Sequence, residues 1–213
     1  VSISNYVELQ AAVANWLARD DLSGRIPEFI TLCEAKLNRV LFVPQMETRS
    51  TALIDLNSAE PEFITLPDDF QTMRRIRLSS VTGKPPLEFL SGTQMDEVRY
   101  SRDNVTGQPA YFSIVGTEIE LLPTPKEAYT LEMTYRALIP PLASNTTNWL
   151  LTLAPDIYLY GALLEAAPYT KEDERIAVWA TGFSTVLDGL NDLGNRQSFD
   201  PGPSTITLPG ITP

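Results

Sequence analysis

The sequence predicts an α+β fold: a helical bundle from N- and C-terminal helices, a β-rich insert between them, and an extended C-terminal tail. Three observations carry this. Apolar residues recur at helical spacing before Pro44 and again from Trp149 onward. Between those stretches the period drops to two. The segment 198–213 is punctuated by proline and glycine. The boundaries that follow are 1–44 and 148–196 for the bundle, 45–147 for the insert and 197–213 for the arm.

The first helix is expected from a Ser4 cap to about Ala18, with Tyr6, Leu9, Val13, Trp16 and Leu17 on one face. The run Asp20-Asp21-Leu22-Ser23-Gly24 breaks it. A second helix spans about Ile26 to Val40. Pro27 is tolerated in its first turn, and Phe29, Ile30, Cys33 and Leu37 form its apolar stripe. Cys33 on that stripe reads as a small buried hydrophobe, not as a reactive thiol.

After Pro44 come short strands, about Glu47 to Leu56 and Glu62 to Leu66, with the turns "NSAEPE" and "LPDDF" between and after them. In "MRRIRLSS", Arg75 and Arg77 alternate with Ile76 and Leu78, so the two kinds fall on opposite faces. Ser91 caps a short helix to about Tyr100, with Gln94 at capping-box spacing. "AYFSIVGTEIELLP" reads as a hairpin turning on Gly-Thr. In "AYTLEMTYRALIP", Tyr129, Leu131, Met133 and Tyr135 share one face, and Thr130, Glu132, Thr134 and Arg136 the other.

A helix returns from about Asn148 to Ala167, kinked or restarted at Pro155. "PDIYLYGALLEAA" is apolar on nearly every side, so it must be buried on every side, at the centre of a bundle or between subunits. Pro168-Tyr-Thr-Lys is read as a turn. The last helix is expected from about Lys171, its acids Glu172, Asp173 and Glu174 at the positive end, to near Gly194. The segment Ser198–Pro213 cannot be a helix. "TITL" within it has the alternation of a strand that adds to a sheet edge or lies in a groove.

Chemistry is harder to find than structure. Histidine is absent, which removes serine–histidine and cysteine–histidine nucleophiles and histidine-rich metal sites. One cysteine allows no intrachain disulfide. No phosphate-binding glycine motif is complete: "GLNDLGNR" has the glycine spacing but no Lys-Ser/Thr and lies at a helix end. Asp68/Asp69 and Glu172–Glu174 read as turn and helix-start residues, although a cell-wall hydrolase would need paired acids of this kind. Tyr100, Tyr111, Tyr129 and Tyr135 would suit a host-binding module but fit sheet packing better. Neither an enzyme nor a cofactor is expected. The net charge of −11 repels nucleic-acid backbones instead of gripping them. No secretory signal or long apolar span opens the chain, so synthesis in a cytosol, without a membrane, is expected.

Several stretches taken together resemble a known family. They are Tyr6–Ile54 with its "RDDL" break, "LPDDF" with the arginine-bearing strand after it, "PLEFLS", "GQPAYFSIVGTEIELLPTP", and Thr147–Trp179. Their order resembles that of the head-to-tail adaptor (connector) proteins of tailed bacteriophages, especially the tail tubular protein A kind. The resemblance implies a structural virion protein at the head–tail junction. It implies a homo-oligomer, commonly a twelve-membered ring, bound to the portal protein and to a tail nozzle or tail completion protein. DNA would pass through the lumen unbound. The interface residues expected on this basis are Tyr158, Leu159, Tyr160, Leu163, Arg75 and Arg77, with Thr205, Ile206 and Leu208 in the arm.

Overall fold

The computed structural model describes residues 3–79, 85–101, 106–170 and 174–198. Helices and strands divide between two compact units, one of residues 1–45 and 140–213, the other of residues 46–139.

In the first unit, α1 (Tyr6–Leu17) buries Leu9, Ala12, Val13 and Leu17. Its cap is Asn5 and not the expected Ser4. The Asn5 side chain accepts from the Glu8 N–H, while the Ser4 N–H and hydroxyl both donate to the Glu8 carboxylate at 2.8 Å. Those donors hold the Glu8 carboxyl below its ordinary range. The break after α1 is a 3-10 turn over Asp20–Arg25. Helix α2 (Ile26–Val40) carries Pro27 in its first turn and buries Ile26, Phe29, Ile30, Cys33, Glu34 and Leu37.

The chain returns to this unit at Pro140. Helix α4 (Trp149–Leu153) ends where Pro155 removes a donor, and α5 (Pro155–Glu165) restarts there, with proline at its first position. The expected turn at Pro168 is a short helix, α6 (Ala167–Thr170). Helix α7 (Arg175–Ser198) runs through Gly194 instead of stopping there. That glycine is a close-approach residue, not a terminator: a Cβ on it would lie 2.8 Å from the Phe42 carbonyl oxygen. Asn191 seals the same contact, its side chain accepting from the Phe42 N–H at 2.8 Å. Of the acids expected at the start of this helix, Glu172 and Asp173 lie outside the described residues, and Glu174 sits exposed in the turn before it.

The second unit holds two sheets. One is three-stranded, with β1 (Glu47–Leu53) and β3 (Phe70–Leu78) flanking the central β7 (Thr130–Ala137), all antiparallel. The other has the order β2 (Phe63–Thr65), β6 (Glu118–Leu122), β5 (Tyr111–Val115), β4 (Glu88–Phe89), with β4 parallel to β5. β1 stops short of the expected Leu56 because Asp55 opens a turn, its side chain accepting from the Asn57 N–H. The β5–β6 hairpin turns on Gly116, which takes the left-handed φ of +63° that a side chain would resist. Helix α3 (Gly92–Ser101) starts after Ser91, whose N–H and hydroxyl both donate to the Gln94 side chain.

The core of this unit gathers Ile54, Ile76, Phe112, Ile119, Leu121, Leu131, Met133 and Tyr135. Alternation along β7 is only half the story. Glu132 and Arg136, on the opposite face from that core, are also buried: β7 is the central strand, and the Arg77 and Arg49 side chains of its two neighbours reach over Glu132.

Candidate functional site

Helix α5 packs against α1, α2 and α7 of the same chain. Small residues make the approach possible. A Cβ on Gly161 would fall 2.2 Å from the Cys33 Sγ on α2 and 3.2 Å from the Phe183 ring on α7. A Cβ on Gly182 would fall 2.9 Å from the Tyr160 ring. The apolar excess of α5 is therefore consumed inside the bundle. Tyr158, Leu159 and Leu163, three of the expected interface residues, are buried by their own chain. Tyr160 is half-buried, edge-on to Trp16 at 6.0 Å between ring centroids and 78° between planes.

Burial of polar groups in this hub follows a strict pattern. Asn148 caps α4 by accepting from the Leu151 N–H at 2.8 Å. Its amide donates to the Tyr158 hydroxyl at 2.7 Å and to the Pro140 carbonyl at 2.8 Å. Burial pushes the Tyr158 phenol well up, against the pull of that amide. Glu34, buried on α2, accepts from the Leu142 N–H at 2.8 Å, and burial raises its carboxyl above the ordinary value. Each group secures the segment that enters the unit at Pro140. Cys33 is fully buried, and desolvation together with the charges of Glu165 and Glu34 pushes its thiol far up. It behaves as a packing residue.

In the β unit the arginines divide. Arg77 donates through Nε and Nη2 to the buried Glu132 at 2.9 and 2.7 Å, and Arg49 reaches the same carboxylate at 3.5 Å. Arg74 pairs with Glu47 at 3.2 Å. Arg75 is exposed and carries no ion pair among the described residues. It borders a groove of about 520 Å³ between β3 and β4, lined by Met73, Ile76, Leu87, Phe89, Phe112 and Ile114. Periodicity missed this groove because Phe89 sits on a two-residue strand, with Leu87 just before it, too short to show a pattern. Thr205, Ile206 and Leu208 lie outside the described residues.

Of the candidate acids, Asp69 is tied into the fold. Asp69 accepts from the Tyr135 hydroxyl at 2.7 Å, and its carbonyl accepts from the Leu138 N–H. Burial and that carboxylate push Tyr135 up to about 12. Of the four tyrosines weighed as a platform, Tyr129 and Tyr135 are core residues, and only Tyr100 is freely exposed. Among the described residues no cluster of three metal-ligating side chains exists. No described helix is long and apolar enough to cross a membrane.

Two further surfaces carry little charge. One is a groove along α1 lined by Ala11, Asn15, Trp16 and Ala18. The other lies between α5 and α7, lined by Asp156, Tyr160, Val178, Thr181 and Thr185. From Ile176 to Leu187, α7 has no charged residue, in a chain that is 20% charged.

Comparison with known proteins bears on what these surfaces serve. No curated protein matches the chain. The family model described as SU10 adaptor protein matches residues 4–207, which spans both units. The chain belongs to the SU10 adaptor protein family, a family of phage head-to-tail adaptors.

Proposed function

We propose that this phage adaptor forms a ring between the portal and the tail nozzle and extends the DNA channel, as a scaffold without catalytic activity, in the manner of the tail tubular protein A kind. The observation that carries this beyond family membership is the weakly charged bundle surface around Tyr160. A large half-buried aromatic flanked by grooves on α1 and on α5/α7 offers desolvatable area without the cost of stripping water from ions. That surface is the subunit contact of the ring. The net charge of −11 supports a lumen that DNA passes without adhering. Asp69, tied to Tyr135 and Leu138, supports a structural role for the acid cluster that a hydrolase would have used. Synthesis in the host cytoplasm and residence at the head–tail junction of the virion, twelve copies per portal, complete the picture.

The test is reconstitution. The purified chain is mixed with the portal ring encoded by the same genome, and the complex is weighed and imaged by negative stain. A stoichiometric ring seated on one face of the portal is expected, and its mass gives the copy number. Two folded proteins that do not associate across a range of salt would sink the proposal.

A further inference from the structure

The groove between β3 and β4 joins two features that rarely coincide by accident. Both strands are the last in their sheets, so each has a backbone edge with no strand partner among the described residues. A single backbone bond, from the Leu87 N–H to the Ile76 carbonyl at 2.9 Å, links the two edges, and alongside it the groove floor is apolar. Phe89 stands over that floor at 58% exposure, propped edge-on against Phe112 with centroids 5.5 Å apart. An exposed aromatic beside an unpaired edge is the pattern that proteins ordinarily blunt with charge or cover, because it invites an added strand. Among the described lining residues the charged ones are Arg74, which pairs with Glu47, and Arg75, which carries no ion pair among the described residues.

The chain contains a segment of matching chemistry. Within residues 204–208, Ser-Thr-Ile-Thr-Leu, the last four alternate polar and apolar, so that Ile206 and Leu208 share one face and Thr205 and Thr207 the other. Pro203 and Pro209 bracket the run and confine any strand to about five residues, or about 17 Å. Between 199 and 213 the one charged side chain is Asp200, opposite in sign to the rim. The β-branched pattern is strand-forming, and the polar face is threonine, as suits the outer side of an edge.

We propose that the groove between β3 and β4 is the receptor for residues 204–208 of a second copy of this chain, which adds there as a strand with Ile206 and Leu208 inward against Phe89 and Met73. The proposal rests on the reading that copies of this chain assemble. The donor is taken as a neighbour in keeping with that assembly, since arm and groove are different patches and can pair head to tail between copies. Exchange between copies is then heterologous, each copy giving one arm and receiving one, the kind of contact from which a ring is built where the rotation between copies closes. Backbone bonds supply the affinity and the alternate side chains the register.

Two full-length variants test it, one carrying Phe89→Cys and the other Ile206→Cys, both retaining buried Cys33. They are mixed on the portal ring and exposed to a mild oxidant, and the mass of the assembly is measured in parallel. A covalent dimer of one variant with the other is expected. Its yield should exceed that of Ile206→Cys mixed with Leu53→Cys, an exposed site outside both grooves, by at least about ten-fold, because a seated pair reacts at a high effective concentration. A ring without this dimer overturns the groove and leaves the ring standing. The dimer without a ring upholds the groove and removes the ring. No dimer and no ring removes both, and equal yields with Leu53→Cys overturn the groove. A further chain carrying both cysteines must not close on itself: an exclusively internal cross-link identifies its own tail as the occupant and overturns the exchange.

Discussion

Gly161→Ala adds one methyl at the tightest point of the bundle. The new carbon would lie 2.2 Å from the Cys33 Sγ, where contact distance is close to 4 Å, and 3.2 Å from the Phe183 ring. Cys33 is fully buried and has no open space to swing into, so α2 and α5 must part by more than an ångström. Overpacking of this kind costs about 1–3 kcal/mol, and the severity of the contact puts this site at the upper end. The gain in helix propensity from replacing glycine returns about 1 kcal/mol, leaving a net loss of about 2 kcal/mol. For a chain of this length that is a fall in Tm of roughly 4–8 °C. Thermal and urea unfolding followed by circular dichroism measure it. Two companions isolate the cause. Cys33→Ala removes the clashing sulfur and leaves a Cβ 3.4 Å away, so Cys33→Ala with Gly161→Ala should lose less than the sum of the single losses. Gly189→Ala, on the same bundle but with nothing within 4 Å of the new carbon, should stabilise by up to about 1 kcal/mol. If Gly161→Ala is as stable as the native chain, close α2–α5 packing is wrong.

Three other outcomes are expected. Asn148→Ala strips the α4 cap and orphans the Tyr158 hydroxyl and the Pro140 carbonyl, costing about 2–4 kcal/mol. Tyr158→Phe removes one of those bonds and should cost only about 1 kcal/mol by the same urea titration. Because burial raises the Glu34 carboxyl, the folded chain holds that proton more tightly than the unfolded chain. Stability should therefore fall as pH rises from about 4.5 through the raised value, and Glu34→Gln should remove that part of the fall. Urea midpoints of both chains across that window must diverge with pH; a constant gap contradicts the assignment. The Cys33 thiol, buried and held protonated, should react with a disulfide reagent only as fast as the chain opens, so its labelling rate should track the population unfolded by urea.

Helix and strand positions were largely legible in the sequence, because each follows from local periodicity and from proline and glycine punctuation. α2 begins at Ile26 and ends at Val40 as expected, and the β5–β6 hairpin turns on Gly116-Thr117 as expected. Gly194 shows where local rules fail. By composition it is a helix terminator, yet the chain stays helical past it because glycine there lets α7 touch the backbone at Phe42. Glu132 and Arg136 are a related case: alternation separates them from the apolar face but does not say that they are buried, which follows from the central place of β7 and the arginines of β1 and β3 that reach over Glu132.

Membership of the adaptor family, and the absence of histidine-based chemistry, were determined by the sequence alone, since both are properties of residue identity and order. It also determined that α5 must be buried on every side, because no polar face exists to meet water. What buries it was decided only in three dimensions. Cys33, Phe183 and Trp16, distant along the chain, converge on Gly161 and Tyr160, and most of the demand for burial is met within one chain, with Tyr160 left half-buried. The β3–β4 groove likewise exists only after two sheets have formed, because an unpaired edge is defined by the strands that are not there, and no single stretch of sequence records its neighbours.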